Sequence, residues 1–118
     1  MNTKEIGKFG EDKACEYLEK QGISVLKRNF YARCGEIDII AKDGDTIVFL
    51  EVKTRLSKEF GTPAEFVDFR KQEKIIQTAL YYLGNDDTDM RFDVVEVIYK
   101  LSGNIMSVTE INHIKSAF

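Results

Sequence analysis

The chain has no tryptophan, one histidine, one proline and two cysteines in 118 residues. His113, its sole imidazole, has no partner of ligand type close in sequence, which leaves little for nucleophilic catalysis through a Ser-His or Cys-His pair. His113 reads instead as a surface or packing residue. Cys15 and Cys34 fall on different elements without metal-type spacing and read as structural thiols rather than a disulfide. No apolar run approaches the roughly 20 residues that span a bilayer, which argues against a transmembrane helix. Met1-Asn2-Thr3-Lys4-Glu5 is charged and carries no apolar signal region, so a cytoplasmic protein is expected. A positive excess is missing too. Net charge is −3, whereas nucleic-acid binders usually show a basic footprint.

What is present fits one small domain over residues 1–118, with 43% hydrophobic and 31% charged residues, ordinary for a soluble chain with a single core. Thr3 to Gln21 reads as a helix, Thr3 its cap and Gly22 just beyond its end. Gly7, Gly10, Ala14, Tyr17 and Leu18 form the small, apolar stripe of that helix, with Glu11 at its flank. Ile23 to Phe30 reads as a strand leading into a turn at Ala32 to Gly35. Gly61-Thr62-Pro63 breaks the chain before a second helix that starts near Lys71 and Gln72. There Ile75, Ile76, Ala79, Leu80 and Leu83 recur at helical spacing, and Gly84-Asn85 supplies the stop. Arg91 to Lys100 is a β-branched-rich strand, and Ser102-Gly103-Asn104 turns into a last strand near Met106 to Ile111.

Between the first strand and the break lie Gly35 to Ala41 and Val48 to Arg55, joined through Lys42-Asp43-Gly44-Asp45. Asp-Gly flanked by alternating apolar residues is a strong hairpin signal. With Asp43 and Gly44 at the tip, Asp38 falls opposite Phe49 and Glu36 opposite Glu51. Alternation then puts Glu36 and Asp38 on the side of Glu51, Lys53 and Arg55. Asp38 and Glu51 would sit diagonally, roughly 7–8 Å apart, within reach of one shared ion. Like charges facing across strands destabilise a sheet, and half-buried carboxylates need compensation. A divalent cation supplies it, with Lys53 beside. The bland alternative is a solvated hairpin face balanced by Lys53 and Arg55. Against it, Val48, Leu50 and Val52 make the other face of the strand apolar and Phe49 interrupts the charged one, as in a strand interior to a sheet. The predicted order is α-β-β-β-α-β-β, an α/β fold with a central mixed sheet flanked by helices.

Charge is unevenly distributed. Lys53, Arg55, Lys58, Arg70, Lys71 and Lys74 face four acids in the same stretch (Glu59, Glu65, Asp68 and Glu73), and Lys27, Arg28 and Arg33 add an acid-free basic stretch. Asp86, Asp87 and Asp89 form an acidic loop.

Asp38 followed by Glu51-x-Lys53 resembles the PD-(D/E)xK signature of restriction endonucleases and archaeal Holliday-junction resolvases, with Ile37 in place of the proline. Gly10-Glu11, Ala14, Tyr17, Leu18, Arg28-Asn29, Gly35-Glu36-Ile37-Asp38, Glu51-Val52-Lys53-Thr54-Arg55, Gly61, Lys71, Ala79 and Arg91-Phe92-Asp93 resemble, in order, the YraN-like bacterial proteins. The resemblance implies a restriction-endonuclease-like core and metal-dependent hydrolysis of phosphodiester bonds in DNA. It implies Mg²⁺ or Mn²⁺ held by Asp38, Glu51, the Val52 carbonyl and Glu11, with Lys53 acting on water or on the developing charge. Glu36 is an accessory carboxylate, and Arg28, Arg55 and Lys71 are candidate phosphate contacts. Partners are then nucleic acid, DNA first, with a second copy of the chain or a DNA-processing protein left open. The rival readings are a non-catalytic nucleic-acid-binding module and a small interaction protein that keep the same fold.

Overall fold

The structure, a computed structural model, describes residues 2–57, 67–85 and 87–118. The expected Gly61-Thr62-Pro63 break, the charges of Lys58, Glu59 and Glu65, and Asp86 of the acidic loop lie outside the described residues. The order is α1 (Thr3–Lys20), β1 (Ser24–Ala32), β2 (Gly35–Asp43), β3 (Thr46–Leu56), α2 (Phe69–Leu83), β4 (Met90–Ser102) and β5 (Ile105–Ile114). The five strands form one sheet in the order β1-β2-β3-β4-β5. Only β3 and β4 pair parallel, with α2 in the crossover between them. The predicted element order and mixed sheet are therefore both present.

Each helix is fixed by its ends. Asn2, not Thr3, caps α1, its side chain accepting the Glu5 N–H at 2.8 Å; Asn is the stronger capping acceptor and Thr3 becomes the first helical residue. At the other end Gly22 takes a φ of +80°. Its N–H then donates to the Glu19 carbonyl at 3.0 Å, and that of Ile23 to the Leu18 carbonyl at 2.9 Å. This Schellman closure brings Ile23 onto Leu18, and both are buried in one cluster. Helix α2 begins earlier than Lys71. Asp68 is its cap, accepting the Lys71 N–H at 2.8 Å.

The sheet is covered on both faces. Ala14 and Leu18 of α1 pack on Ile39, Ala41, Val48, Leu50, Val95 and Val97. Ile75 and Ala79 of α2 pack on Ile37, Ile40, Phe49, Phe92 and Val94. Burial on both faces explains the unbroken apolar run Val48-Phe49-Leu50, and each such side chain contributes roughly 1.5–3 kcal/mol when withdrawn from water. Phe49 and Phe92, neighbours across the parallel pair, stack with centroids 5.6 Å apart.

The hairpin register differs from the expected one. Asp43 pairs with Thr46, Ile40 with Phe49 and Ile39 with Leu50, so Gly44 (φ +61°) and Asp45 form the tip. The predicted pairing would have set Asp38 against fully buried Phe49. The observed pairing gives Phe49 an apolar neighbour, Ile40, and moves Asp38 one step past the last recorded pair, level with Glu51. Because the slip is by two positions in pairing, each side chain keeps its face.

His113 is a packing residue. Its Nε2 lies 2.8 Å from buried Asp93 and its Nδ1 3.3 Å from the Tyr17 hydroxyl. Against the pull of burial, hydrogen bonds from His113, Arg91 and the Ser116 amide hold the Asp93 carboxyl below its usual range. That anchor ties the end of β5 to the sheet, and the Ala117 N–H adds a bond of 2.8 Å to the Phe92 carbonyl.

Helix α1 lies close to β3 because Gly10 has no side chain: a Cβ there would overlap the Thr54 hydroxyl, whereas one at Gly7 meets nothing within 4 Å. Two substitutions with the same intrinsic helical gain of about 1 kcal/mol should therefore diverge. Gly7→Ala is expected to raise stability by roughly 0.5–1 kcal/mol, and Gly10→Ala to lower it by about 1–2 kcal/mol as overpacking outweighs the gain. Urea denaturation of the two variants checks this; a stabilised Gly10→Ala would mean that the helix is free to lift from β3.

Candidate functional site

Where the β2–β3 ladder ends, the Asp38 carboxylate accepts the N–H of Val52 at 2.9 Å. The side chain thus replaces a rung of the ladder, and a cavity of about 280 Å³ opens beside it. Asp38, Val52 and Lys53 line it from the sheet, Gly7 and Glu11 from α1, and Lys71 from α2. Glu51 lies behind this lining, only 3% exposed. Its Oε1 is 2.9 Å from Lys71 Nζ, while its Oε2 is buried with no hydrogen-bond partner among the described residues.

The electrostatics follow from burial and crowding. Burial, then the negative charge of Asp38, pushes the Glu51 carboxyl up to about 7. Burial likewise raises Asp38, opposed by the Val52 N–H and by Lys71. Glu11 is raised by burial and next by Asp38, so the three acids feel one another. Lys53 is pulled below its usual value by burial and by the adjacent Lys71 charge. Against burial, the charge of Glu51 holds Lys71 above its own. One helix cation therefore neutralises Glu51, while a second, loosely held ammonium stands beside it on β3.

The remaining candidates are dispersed. Glu36, expected opposite Glu51, is exposed and pairs with Tyr31 on β1; it reaches the site only through its charge, which raises Asp38. Arg55, expected as a phosphate contact, is 8% exposed and ion-paired with Glu96 of β4. Glu96 also accepts from Asn112 of β5 at 2.8 Å. Arg55 therefore braces the sheet interior instead of meeting solvent. Arg28 binds Asp12 at 2.8 Å and lies 3.7 Å from Glu11. Sequence reasoning did not pair Lys71 with Glu51, although its early position on α2 left it free to lean over β3.

The acids around Asp38 are the Glu51 and Glu11 carboxylates, hard oxygen ligands of the kind that Mg²⁺ and Mn²⁺ take, and the Glu51 Oε2, unpartnered among the described residues, fits such an ion. Among the described residues no three Asp, Glu, His or Cys side chains converge closely enough to hold an ion by themselves. Asp38 and Glu51, with Glu11 nearby, would need water to complete a coordination shell. No helix among the described residues is long and apolar enough to cross a membrane.

A profile of the family described as "Uncharacterised protein family UPF0102" matches residues 10–97. A UPF0102 protein of Caldicellulosiruptor bescii is 50% identical over 122 residues, covering all of both chains. Another, from Clostridioides difficile, is 47% identical over 121 residues with the same full coverage. A third, from Caldanaerobacter subterraneus, is 43% identical over all of this chain and 98% of its own.

A carboxyl raised from 4.5 to about 7 keeps its proton in the folded chain after the unfolded chain has lost it. Stability then falls as pH rises through that window. In chelator, Glu51→Gln should be more stable than the parent at pH 8 by about 1–2 kcal/mol, allowing for the weakened Lys71 contact, and the difference should vanish as pH falls towards the ordinary carboxylate value. Thermal midpoints across that range test it. A variant no more stable at pH 8 would mean that Glu51 is not crowded.

Proposed function

We propose that this chain, which belongs to the Uncharacterised protein family UPF0102, is a divalent-metal-dependent nuclease hydrolysing phosphodiester bonds in DNA. The observation that supports this most is the Glu51 carboxylate, buried with one oxygen unpartnered among the described residues and its proton affinity raised beside Asp38. A structural glutamate would be paired at both oxygens or exposed, since a half-satisfied buried carboxylate costs folding free energy. Sites of chemistry tolerate that cost.

On this reading Asp38 and Glu51 would hold Mg²⁺ or Mn²⁺, with Glu11 and the Val52 carbonyl as further oxygen donors. When bound, the ion supplies positive charge at the scissile phosphate and acidity to a water. The Val52 N–H fixes the orientation of Asp38 through one oxygen, and its second oxygen accepts no hydrogen bond among the described residues. Lys71 keeps Glu51 in place from α2 and lowers its proton affinity as the site charges. Lys53, with its ammonium destabilised by burial and by Lys71, surrenders a proton more readily than a free lysine. That suits a group that donates a hydrogen bond to water or to a developing negative charge. The four-sided arrangement leaves the cavity open between the N-terminal halves of both helices, where a phosphodiester backbone can enter.

Incubation with defined duplex, flapped and four-way DNA in Mn²⁺ should give cleavage that Asp38→Ala abolishes. Lys53→Ala should cut the rate by roughly 10²–10⁴-fold while calorimetric Mn²⁺ binding stays near that of the parent, because a lysine acts on the transition state and is no ligand. Lys53→Arg should rescue poorly, as the guanidinium differs in reach and shape. Absence of cleavage in every substrate with either ion would overturn the nuclease reading in favour of a non-catalytic module.

A further inference from the structure

Beside the site lies a second cavity of about 560 Å³ between the first turns of α1 and the edge strand β1. It shares Gly7 and Glu11 with the cavity that holds Asp38 and Lys53, so the two lie side by side. Three cations line it, Lys4, Lys8 and Arg28, against one acid, Glu11. In a chain of net charge −3 this is a local reversal of sign. Lys4 makes no ion pair among the described residues, and Lys8 and Arg28 share Asp12. The wall is completed by Tyr31, which is 68% exposed.

The strand that forms this wall is irregular at Asn29. Asn29 takes a φ of +51°, a left-handed conformation that asparagine tolerates better than most residues. It falls between the rungs Arg28↔Ile39 and Phe30↔Ile37, across from Asp38. Its side-chain amide stands near enough to Glu11 to oppose the rise of that carboxyl, which burial and Asp38 push up, and Glu11 is one of the residues the two cavities share. Gly7, another, leaves space where a side chain would stand. A covered or purely structural edge would have no reason to combine cations, an exposed ring and open space at a glycine.

We propose that this second cavity binds an unpaired nucleotide segment leading to or from the scissile phosphate, its phosphates on Lys4, Lys8 and Arg28 and a base stacked on Tyr31. Cations that follow a backbone, together with an aromatic face, are the chemistry of single-strand recognition. A blunt duplex presents phosphates but no free base face, so the cavity selects substrates with a displaced or overhanging strand. The assignment rests on the nuclease reading for the position of the scissile phosphate.

Fluorescence anisotropy in chelator, where nothing is cleaved, compares a blunt duplex with the same duplex carrying a short single-stranded tail of DNA or of RNA. The tail should tighten binding about tenfold, a typical value for one stacked base, and the two tails tell which sugar the cavity accepts. Tyr31→Ala should erase that gain and leave blunt-duplex affinity unchanged, while Tyr31→Phe keeps it. Lys4→Ala and Lys8→Ala should each lower the salt slope of log affinity by roughly one unit on tailed substrates. Gly7→Leu, whose Cβ meets nothing within 4 Å, should set bulk between the two cavities and abolish tail preference. Equal affinity for blunt and tailed duplexes, no binding of any tailed substrate, or a Tyr31→Ala loss equal on both would overturn the proposal. A parent protein that prefers tails yet never cleaves in Mn²⁺ keeps this cavity and sinks the nuclease reading. One that cleaves through Asp38 but ignores tails does the reverse.

Discussion

Glu51 lies on the central strand of the sheet, between the N-terminal parts of two helices, and cannot reach water. Everything around the site answers to that burial. An ionised carboxylate in such a place needs a cation or a full set of hydrogen bonds. Among the described residues only Lys71 pairs with it, at one oxygen. Asp38 adds a second acid to the same corner and raises the affinity of Glu51 for a proton further. The β2–β3 register enforces this crowding: the Ile39–Leu50 pair places Asp38 level with Glu51 and aims its carboxylate at the Val52 N–H. The apolar matching of Ile40 with Phe49 that stabilises the fold is therefore what assembles the unfavourable pair.

The same sheet separates charges that are structural from charges that remain available. Arg55 and Glu96 meet inside it and are tied to Asn112. Asp93 is secured by Arg91, His113 and the Ser116 amide. Both clusters satisfy a buried acid from several sides, which rigidifies the core around β4. The corner at Asp38 differs because its acids outnumber their partners and its lysines touch each other. Among the described residues, this corner is where buried acids are left short of partners, and a cavity lined from the starts of both helices opens beside it.

Much of this was legible in the chain itself. The period of two along Gly35–Ala41 and Val48–Arg55 places Asp38, Glu51 and Lys53 on one face, whichever even slip the hairpin adopts. Glycine and proline punctuation gives the element order, and apolar residues at helical spacing give the buried stripe of α2. These are local properties: each depends on residues within a turn or a strand, and tertiary packing had only to accept them.

Distances across the sheet and between elements were not legible. Whether Asp43-Gly44 or Gly44-Asp45 forms the tip depends on which apolar pairs the two helices cover, and that is decided by the whole core. Arg55 reads as solvent-facing from its own strand, because its partner Glu96 arrives only through the parallel pairing of β4. Lys71 meets Glu51, and Lys4, Lys8, Arg28 and Tyr31 meet one another, because α1 is held close to β3 at Gly10 and α2 crosses above it. The sequence by itself determined which residues share a face, since side-chain alternation is fixed by backbone geometry. Only the tertiary structure decided which faces confront each other, since that depends on packing among segments far apart in the chain.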